Sequence, residues 1–390
     1  MVAYDHELSI STLTTRLDVA LLGLGAMGSA VAAALARRGA RVTAFDRLAP
    51  PHTLGSSHGR TRIIREAYYE HPLYVPLVRR SYELWEELSR ETGLDLLRIT
   101  GGLMVGPETG SLFAGALASA RTHGIAHEIL DAKALESRFR AYRAPDGTLG
   151  LHEERAGMLF PERCIEAHLQ SARAHGADIH MNEEVQDWTT SSAGVTLSTT
   201  RGRYTADRLV VAAGAWLPSL QPSLGLTLPL EIERQLSHWF RPQGEDATRY
   251  DAANAPIALW ELEGGGLFAT LPNLGDGVKC GSHHAGLPTA PQSVNRTVSR
   301  EENEAARVAL EAVMPGAGGE LLESRVCLYT NTPDAHFIID WIQRDRVLLL
   351  SPCSGHGFKF ASAIGEVAGQ LILDGRAWID LKPFRVGRFA

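Results

Sequence analysis

The sequence predicts an α/β protein of two domains. One, built of strand–loop–helix units, is assembled from three separated stretches, and an antiparallel-sheet domain of α+β character is inserted between them twice. Three observations carry this reading. A strand, a glycine-rich loop, a helix, a second strand and an acid follow one another from Val19 to Asp46. Units of the same kind return after Gly157 and again near the C-terminus. Between them the chain changes to short strands separated by turns. The predicted division is 15–93, 157–223 and 327–390 for the first domain, and 94–156 with 224–326 for the second. A chain of 390 residues is long enough to bury two cores.

Val19 to Leu22 is a short apolar run, followed by Gly23-Leu24-Gly25-Ala26-Met27-Gly28 and an alanine-rich segment ending near Arg38-Gly39. A second strand, Arg41 to Phe45, ends at Asp46, 18 residues past Gly28. The first glycine makes the turn, the second lets backbone N–H groups approach a pyrophosphate, and the third allows tight helix–strand packing. An acid at this distance suits the ribose hydroxyls of an adenine dinucleotide, so the unit reads as Rossmann-like. Val19 to Ala36 is also 18 residues without a charge, the lower limit of a membrane span. Its glycine, serine and methionine interruptions and small alanine face favour packing on a sheet instead. Met1 to Leu17 contains Asp5 and Glu7 and lacks a basic start, which excludes a signal peptide and suggests a frayed leader.

A Pro-, Ser-, His- and Gly-rich loop, Arg47 to Gly59, leads into Arg60-Thr61-Arg62-Ile63-Ile64-Arg65. An amphipathic helix is expected from Pro76 to Thr92 with Gly93 as its C-cap, then strands within Leu94 to Pro107. Pro161 opens a helix to about His175, a strand lies near Ile179, and Val195 to Ser198 with Tyr204 suggest a hairpin. Leu209 to Ala213 is a buried strand running into Gly214-Ala215-Trp216. Strands are expected at Leu236–Phe240, Ile257–Glu261, Leu267–Thr270 and Gly277–Gly281, and a helix at Arg300–Val313. Near the end, Ser354-Gly355-His356-Gly357-Phe358-Lys359 precedes a helix with Ala361, Ile364, Val367 and Leu371 on one face. A lysine in a helix's first turn opposes the macrodipole unless an anion sits opposite it, so this loop looks built to hold something negative.

Composition narrows the function. A hydrophobic content of 44% with 21% charged residues is that of a globular protein. A formal charge of −7 opposes nonspecific nucleic-acid binding. Four cysteines without a Cys-x-x-Cys pair do not make a disulfide framework, and a reducing cytoplasm is the simplest compartment. Adjacent His283 and His284 would face opposite sides of a regular strand, and no third ligand is evident, so no metal is expected.

Taken together, these residues resemble the family of monomeric sarcosine oxidase, N-methyltryptophan oxidase, pipecolate oxidase and the fructosyl-amine oxidases, from about Asp18 to the C-terminus. The markers are the Gly23–Gly28 loop, Pro50 to Thr53, Ser57 to Arg65, Val211 to Trp216, Cys327-Leu328-Tyr329-Thr330 with Pro333-Asp334, and Ser354 to Lys359. The resemblance implies an FAD enzyme that moves hydride from the carbon beside an amine nitrogen to flavin N5 and gives an imine. Molecular oxygen then becomes hydrogen peroxide. Gly23, Gly25, Ala26, Met27, Gly28 and Asp46 would hold the dinucleotide. Ser57, His58, Arg62, Ala213, Gly214, Trp216, Gly355, His356, Gly357, Phe358 and Lys359 would border it.

The same resemblance implies individual roles. Cys327 would attach the flavin covalently through its ring methyl carbon, whereas a lone cysteine is by base rate a small core residue. Lys279 would promote oxygen reduction as a fixed cation, against the reading of a strand-edge lysine. Arg62 and His58 would tune the reduced ring, and His283 would be an active-site histidine. Arg65 and Lys359 would clamp the substrate carboxylate, and Tyr329 would be an aromatic pocket residue. Phe268 stands where the sarcosine enzymes carry a tyrosine, Ser282 replaces a bulkier aromatic, and Arg60 replaces an acid. Trp260 is expected near the substrate cover. These departures favour a larger or more apolar secondary amine, N-methyl or cyclic, over sarcosine itself. The family name implies a monomer. The competing classes are a flavin dehydrogenase passing electrons to a carrier, a nicotinamide dehydrogenase on the same glycine loop, and a flavin-holding protein without turnover.

Overall fold

The computed structural model describes residues 17–244 and 246–390. The frayed leader expected at Met1 to Leu17 falls, apart from Leu17, outside them. A six-stranded sheet runs in the order Ile338–Ile342, Val347–Ser351, Arg208–Val211, Asp18–Leu22, Arg41–Asp46, Asp178–Met181. Its pairings are parallel except the one between Ile338–Ile342 and Val347–Ser351. All three stretches assigned to the first domain therefore contribute strands to one sheet. The alanine-rich helix Ala26–Arg37 packs against the helices Pro161–Ala174 and Ala361–Leu373. Its small side chains explain the close approach: a Cβ on Gly365 would lie 2.7 Å from the Ala30 backbone.

The second sheet has nine strands, in the order Leu287–Pro288, Glu231–Phe240, Val278–His283, Leu267–Leu271, Ile257–Glu261, Gly102–Pro107, Thr148–Glu153, Glu128–Asp131, with Leu321–Asn331 also paired to Glu231–Phe240. Both inserted segments thus build a single sheet. It is not purely antiparallel, because the junction between the segments, Ile257–Glu261 on Gly102–Pro107, is parallel. The strand Leu321–Asn331 runs straight across the boundary expected at 326/327, so Cys327 is carried by this sheet. Lys279 lies on an interior strand between two neighbours, which removes the strand-edge reading.

The helix expected from Pro76 is Val75–Thr92, ended by Gly93 at φ 70, and Arg300–Val313 begins with a capping box at Ser299 and Glu302. The expected hairpin is a three-stranded sheet, Val185–Ser191, Gly194–Thr199 and Arg203–Ala206. Among the described residues no helix is long and apolar enough to cross a membrane.

Candidate active site

The ends of the six-stranded sheet at Leu22, Asp46, Ala212 and Ser351 open into a long cleft, and one face of the nine-stranded sheet forms its far wall. At the first end backbone geometry dominates. Gly23 has φ +91, and a Cβ there would lie 2.5 Å from Ala212 O, while a Cβ on Gly28 would lie 1.7 Å from Gly23 O. Nothing comes within 4 Å of a Cβ built on Gly25. The first and third glycines are therefore fixed by packing, and the second leaves the loop open. The helix beginning at Ala26 has no side-chain cap and no acid in its first turn, so its free N–H groups suit an anion. Asp46 accepts from Leu24 N and Leu48 N, both at 2.8 Å, and borders the cleft. Gly25, Ala26, Met27, Ala213, Gly214 and Trp216 border it as well.

In the middle of the cleft, Arg62 Nη2 lies 3.3 Å from Cys327 Sγ and donates to Ser56 O at 2.9 Å. Lys279 Nζ donates to Gly59 O at 2.7 Å, Thr61 O at 2.8 Å and Thr61 Oγ1 at 3.3 Å. Ser57 borders the cleft but His58 does not. His58 is 2% exposed, and both its ring nitrogens lack partners among the described residues. Burial, then Arg62, Arg325 and Lys279, push it down to about 3, so it is neutral. The structure sets His58 behind the cleft wall rather than on it.

At the second end, charged side chains dominate. Arg65 is 2% exposed and pairs with Glu70, Nη2 to Oε2, at 2.7 Å. Its Nη1 donates to Ala67 O at 3.0 Å. Burial pushes Glu70 up, but Arg65, His356 and Lys359 outweigh it and hold the carboxyl at about 2. Lys359 sits in the short turn Phe358–Phe360 before the helix Ala361–Leu373 and donates to His356 O at 2.8 Å and Tyr68 OH at 3.3 Å. Burial lowers it to about 7, against the pull of Glu70. His356 Nε2 lies 2.9 Å from Ala335 O, which makes Nε2 the protonated nitrogen. Nδ1 therefore accepts from Tyr68 OH at 2.7 Å. Gly355 is required at φ +75, where a Cβ would lie 2.7 Å from the Tyr329 ring and 2.9 Å from His283.

His283 Nδ1 lies 3.1 Å from Tyr329 OH, and both residues border the cleft. Burial first, then His284 beside it, lowers His283, so the ring is neutral. His284 does not point the other way as a regular strand would require. The strand ends at His283, His284 has φ 56, and the two rings lie 4.2 Å apart. No metal-binding cluster exists among the described residues.

Two expected substrate contacts are misplaced. Trp260 and Phe268 are each 1% exposed, sit opposite one another across two strands, and belong to a separate core cluster with Tyr142. Trp260 Nε1 bonds Thr270 Oγ1 at 3.1 Å in that core. Their neighbours Leu259 and Ala269 line the cleft instead. Because side chains alternate along a strand, an error of one position exchanges the core face for the cleft face. Sequence reading also missed Glu70, five residues past Arg65, and the polar pair Tyr68 and Tyr69; their signal was proximity to the arginine block.

These features fit a flavin dinucleotide. Ser56 Oγ, Trp216 Nε1 and Ser351 Oγ are buried atoms without partners among the described residues, and all three residues border the cleft. A polar ligand lying along the cleft would satisfy them. The open glycine loop and the uncapped helix suit a pyrophosphate.

Comparison with known proteins agrees. The FAD dependent oxidoreductase family matches residues 18–371. Monomeric sarcosine oxidase of Streptomyces avermitilis is 39% identical over 363 residues, 92% of this chain and 94% of that protein. N-methyl-L-tryptophan oxidase of Escherichia coli is 36% identical over 377 residues, covering 95% and 99%. In fold, the chain is similar to L-proline dehydrogenase of P. horikoshii, with a TM-score of 0.83, 20% identity and coverage of 96% and 98%. It is also similar to NikD, an unusual amino acid oxidase essential for nikkomycin biosynthesis, with a TM-score of 0.81, 21% identity and coverage of 95% and 97%. The chain belongs to the FAD-dependent oxidoreductases, in the branch of monomeric sarcosine oxidase and N-methyl-L-tryptophan oxidase.

Proposed function

We propose that this protein oxidises the secondary amine of an N-methyl or cyclic amino acid, with O2 as electron acceptor and H2O2 as product. One observation carries the reading: Arg65 and Lys359 are buried at one end of the cleft with a single carboxylate, Glu70, ion-paired to Arg65 and acting on Lys359. Two cations against one anion leave a vacancy for a substrate carboxylate, and holding it would orient the reacting carbon. Glu70 must give up part of Arg65 when that carboxylate arrives. When bound, FAD supplies the two-electron acceptor between amine and oxygen. The reaction balances as amine plus O2 giving imine plus H2O2, one hydrogen from C–H and one from N–H ending on oxygen; water then hydrolyses the imine.

The chain's own residues supply the rest. Leu259, Ala269 and Leu271 form an apolar wall, which suits a substrate larger than sarcosine. Neutral His283 and Tyr329 offer a hydrogen-bonding pair beside it. Lys279 places a fixed positive charge where O2 would gain negative charge. Cys327, beside Arg62, is the residue that would hold the ring covalently. A cytoplasmic location is in keeping with four free cysteines.

Acid precipitation of the purified protein tests this reading. Yellow colour should stay with the pellet, leave it in Cys327→Ser, and accompany peroxide release from N-methyl or cyclic amino acids. Colour lost to the supernatant of the unmodified protein refutes covalent attachment, and bleaching without peroxide in air refutes the oxidase.

A further inference from the structure

The chain uses arginine for almost all its positive charge. Of 38 basic residues only Lys133, Lys279, Lys359 and Lys382 are lysines. Lys133 and Lys382 are exposed, whereas Lys279 and Lys359 are each 6% exposed and border the cleft. The surroundings of Lys279 are built from three sides. All three ammonium hydrogens have oxygen acceptors in the Gly59–Thr61 turn. That turn takes Gly59 to φ 94 and Arg60 to φ 66, and Glu162 Oε1 grips it from below through Gly59 N at 2.8 Å and Arg60 N at 3.1 Å. Opposite Lys279 in register on the neighbouring strand stands Trp239, 1% exposed, its ring centroid 5.2 Å from Nζ.

We propose that Trp239 is a positioning residue for Lys279. Its ring and the oxygens of the Glu162-anchored turn form a cage that keeps the ammonium charged and fixed beside the cleft. The inference rests on the oxygen role proposed for Lys279. An ammonium taken out of water loses its hydration, and an aromatic face with a full set of oxygen acceptors restores part of it.

The charges facing Lys279 make that restoration necessary. Burial is the largest influence lowering it, followed by Arg62, with Arg325 acting in the same sense and Cys327 and Glu162 opposing. Buried His58 is neutral and Cys280 is a protonated thiol raised by burial, so neither adds a compensating charge. Arg60 and Arg325 also lie over the Trp239 ring, at 5.0 and 5.7 Å, but each pairs with Glu323. The Trp239 ring is thus shared by the buried ammonium and these paired guanidinium groups.

The test is reoxidation of the reduced holoenzyme by O2 across pH, in wild type, Lys279→Met, Trp239→Phe, Trp239→Leu and Glu162→Gln. Trp239→Leu should slow reoxidation about tenfold at pH 8, as expected for loss of a desolvated cation–π contact. Its alkaline limb should move to lower pH, Trp239→Phe should restore most of the rate, and anaerobic reduction by the amine should change less than about twofold. A readout independent of turnover is the Lys279 Nζ resonance of ¹⁵N-lysine protein, assigned by its absence in Lys279→Met. It should titrate at lower pH in Trp239→Leu. If Trp239→Leu does not fold, Glu162→Gln should move limb and resonance the same way by a smaller amount. Slow Lys279→Met with unchanged Trp239→Leu and Glu162→Gln overturns the cage alone, as does equal slowing in Trp239→Leu and Trp239→Phe. Unchanged Lys279→Met overturns the oxygen role and the inference with it.

Discussion

In the proposed function the two ends of the cleft would recognise negative charge by different means. At the glycine-loop end the donors would be backbone N–H groups, and the shape is set by Gly23 and Gly28. At the far end the shape is set by side chains from distant segments, and in the proposed function recognition would rest on Arg65 and Lys359 balanced against Glu70. A backbone site cannot be retuned by pH and tolerates no added carbon at Gly23 or Gly28. A side-chain site made of buried ionisable groups is adjustable in both respects. The difference suits a resident group at one end and an exchanging substrate at the other.

The largest way to break this comparison is Gly28→Ala. The new Cβ would meet Gly23 O at 1.7 Å, a backbone atom that cannot swing aside as a side chain would. Overpacking of this kind costs about 3 kcal/mol, so in a Cys327→Ser background, where no covalent bond would retain it, flavin affinity should weaken roughly a hundredfold if the cost falls on the bound state. Flavin content of the purified variant checks it. Normal content would mean the helix start moves freely, and the backbone end is not rigid.

A smaller effect separates the ends by pH. Lys359 is held at about 7 by burial, well under its ordinary 10.5. It is a cation below that pH and loses its charge as pH rises through it, while Arg65 stays charged. KM for the amino acid should rise as pH climbs past about 7, approaching tenfold per unit, and Lys359→Met should show no such rise. The sign for stability is opposite. Between about 7 and 10.5 the unfolded chain holds a proton that the folded chain has released, so the Lys359 contribution to stability grows with pH across that window. A KM independent of pH from 6 to 9 would show that Lys359 does not bear on the carboxylate.

How much of this was legible in the sequence follows the same division. The glycine loop, Asp46 and the helices Val75–Thr92 and Arg300–Val313 are local patterns, each specified by neighbours in the chain. The three-piece sheet was also readable, because each piece repeats the strand–loop–helix signal. At the far end, Arg65, Tyr329 and Lys359, each named from a motif within one segment, border the cleft. The far end was misread where placement depends on strand register. Nothing local tells which of Leu259 and Trp260, or of Ala269 and Phe268, faces inward, since all four are apolar or small. Nor could the parallel junction between Ile257–Glu261 and Gly102–Pro107 be seen, because it joins strands from different segments.

The finest test bears on that register. Ala269 lines the cleft and Trp260 lies in the core, so their substitutions should have separable effects. Ala269→Leu adds three carbons to the apolar wall and should raise KM for a bulky amine roughly tenfold, within the range a pocket commands per methylene. Smaller amines should be affected less. Trp260→Phe removes the bond to Thr270 Oγ1 and some core volume, worth about 1–3 kcal/mol of stability, and should leave KM within about twofold. Paired melting and steady-state measurements on both variants decide it. A KM change in Trp260→Phe with Ala269→Leu silent would reverse the two faces, and the apolar wall would then be tryptophan and phenylalanine rather than leucine and alanine. That outcome would replace a wall of aliphatic side chains by aromatic ones and change the substrate the cleft is shaped to accept.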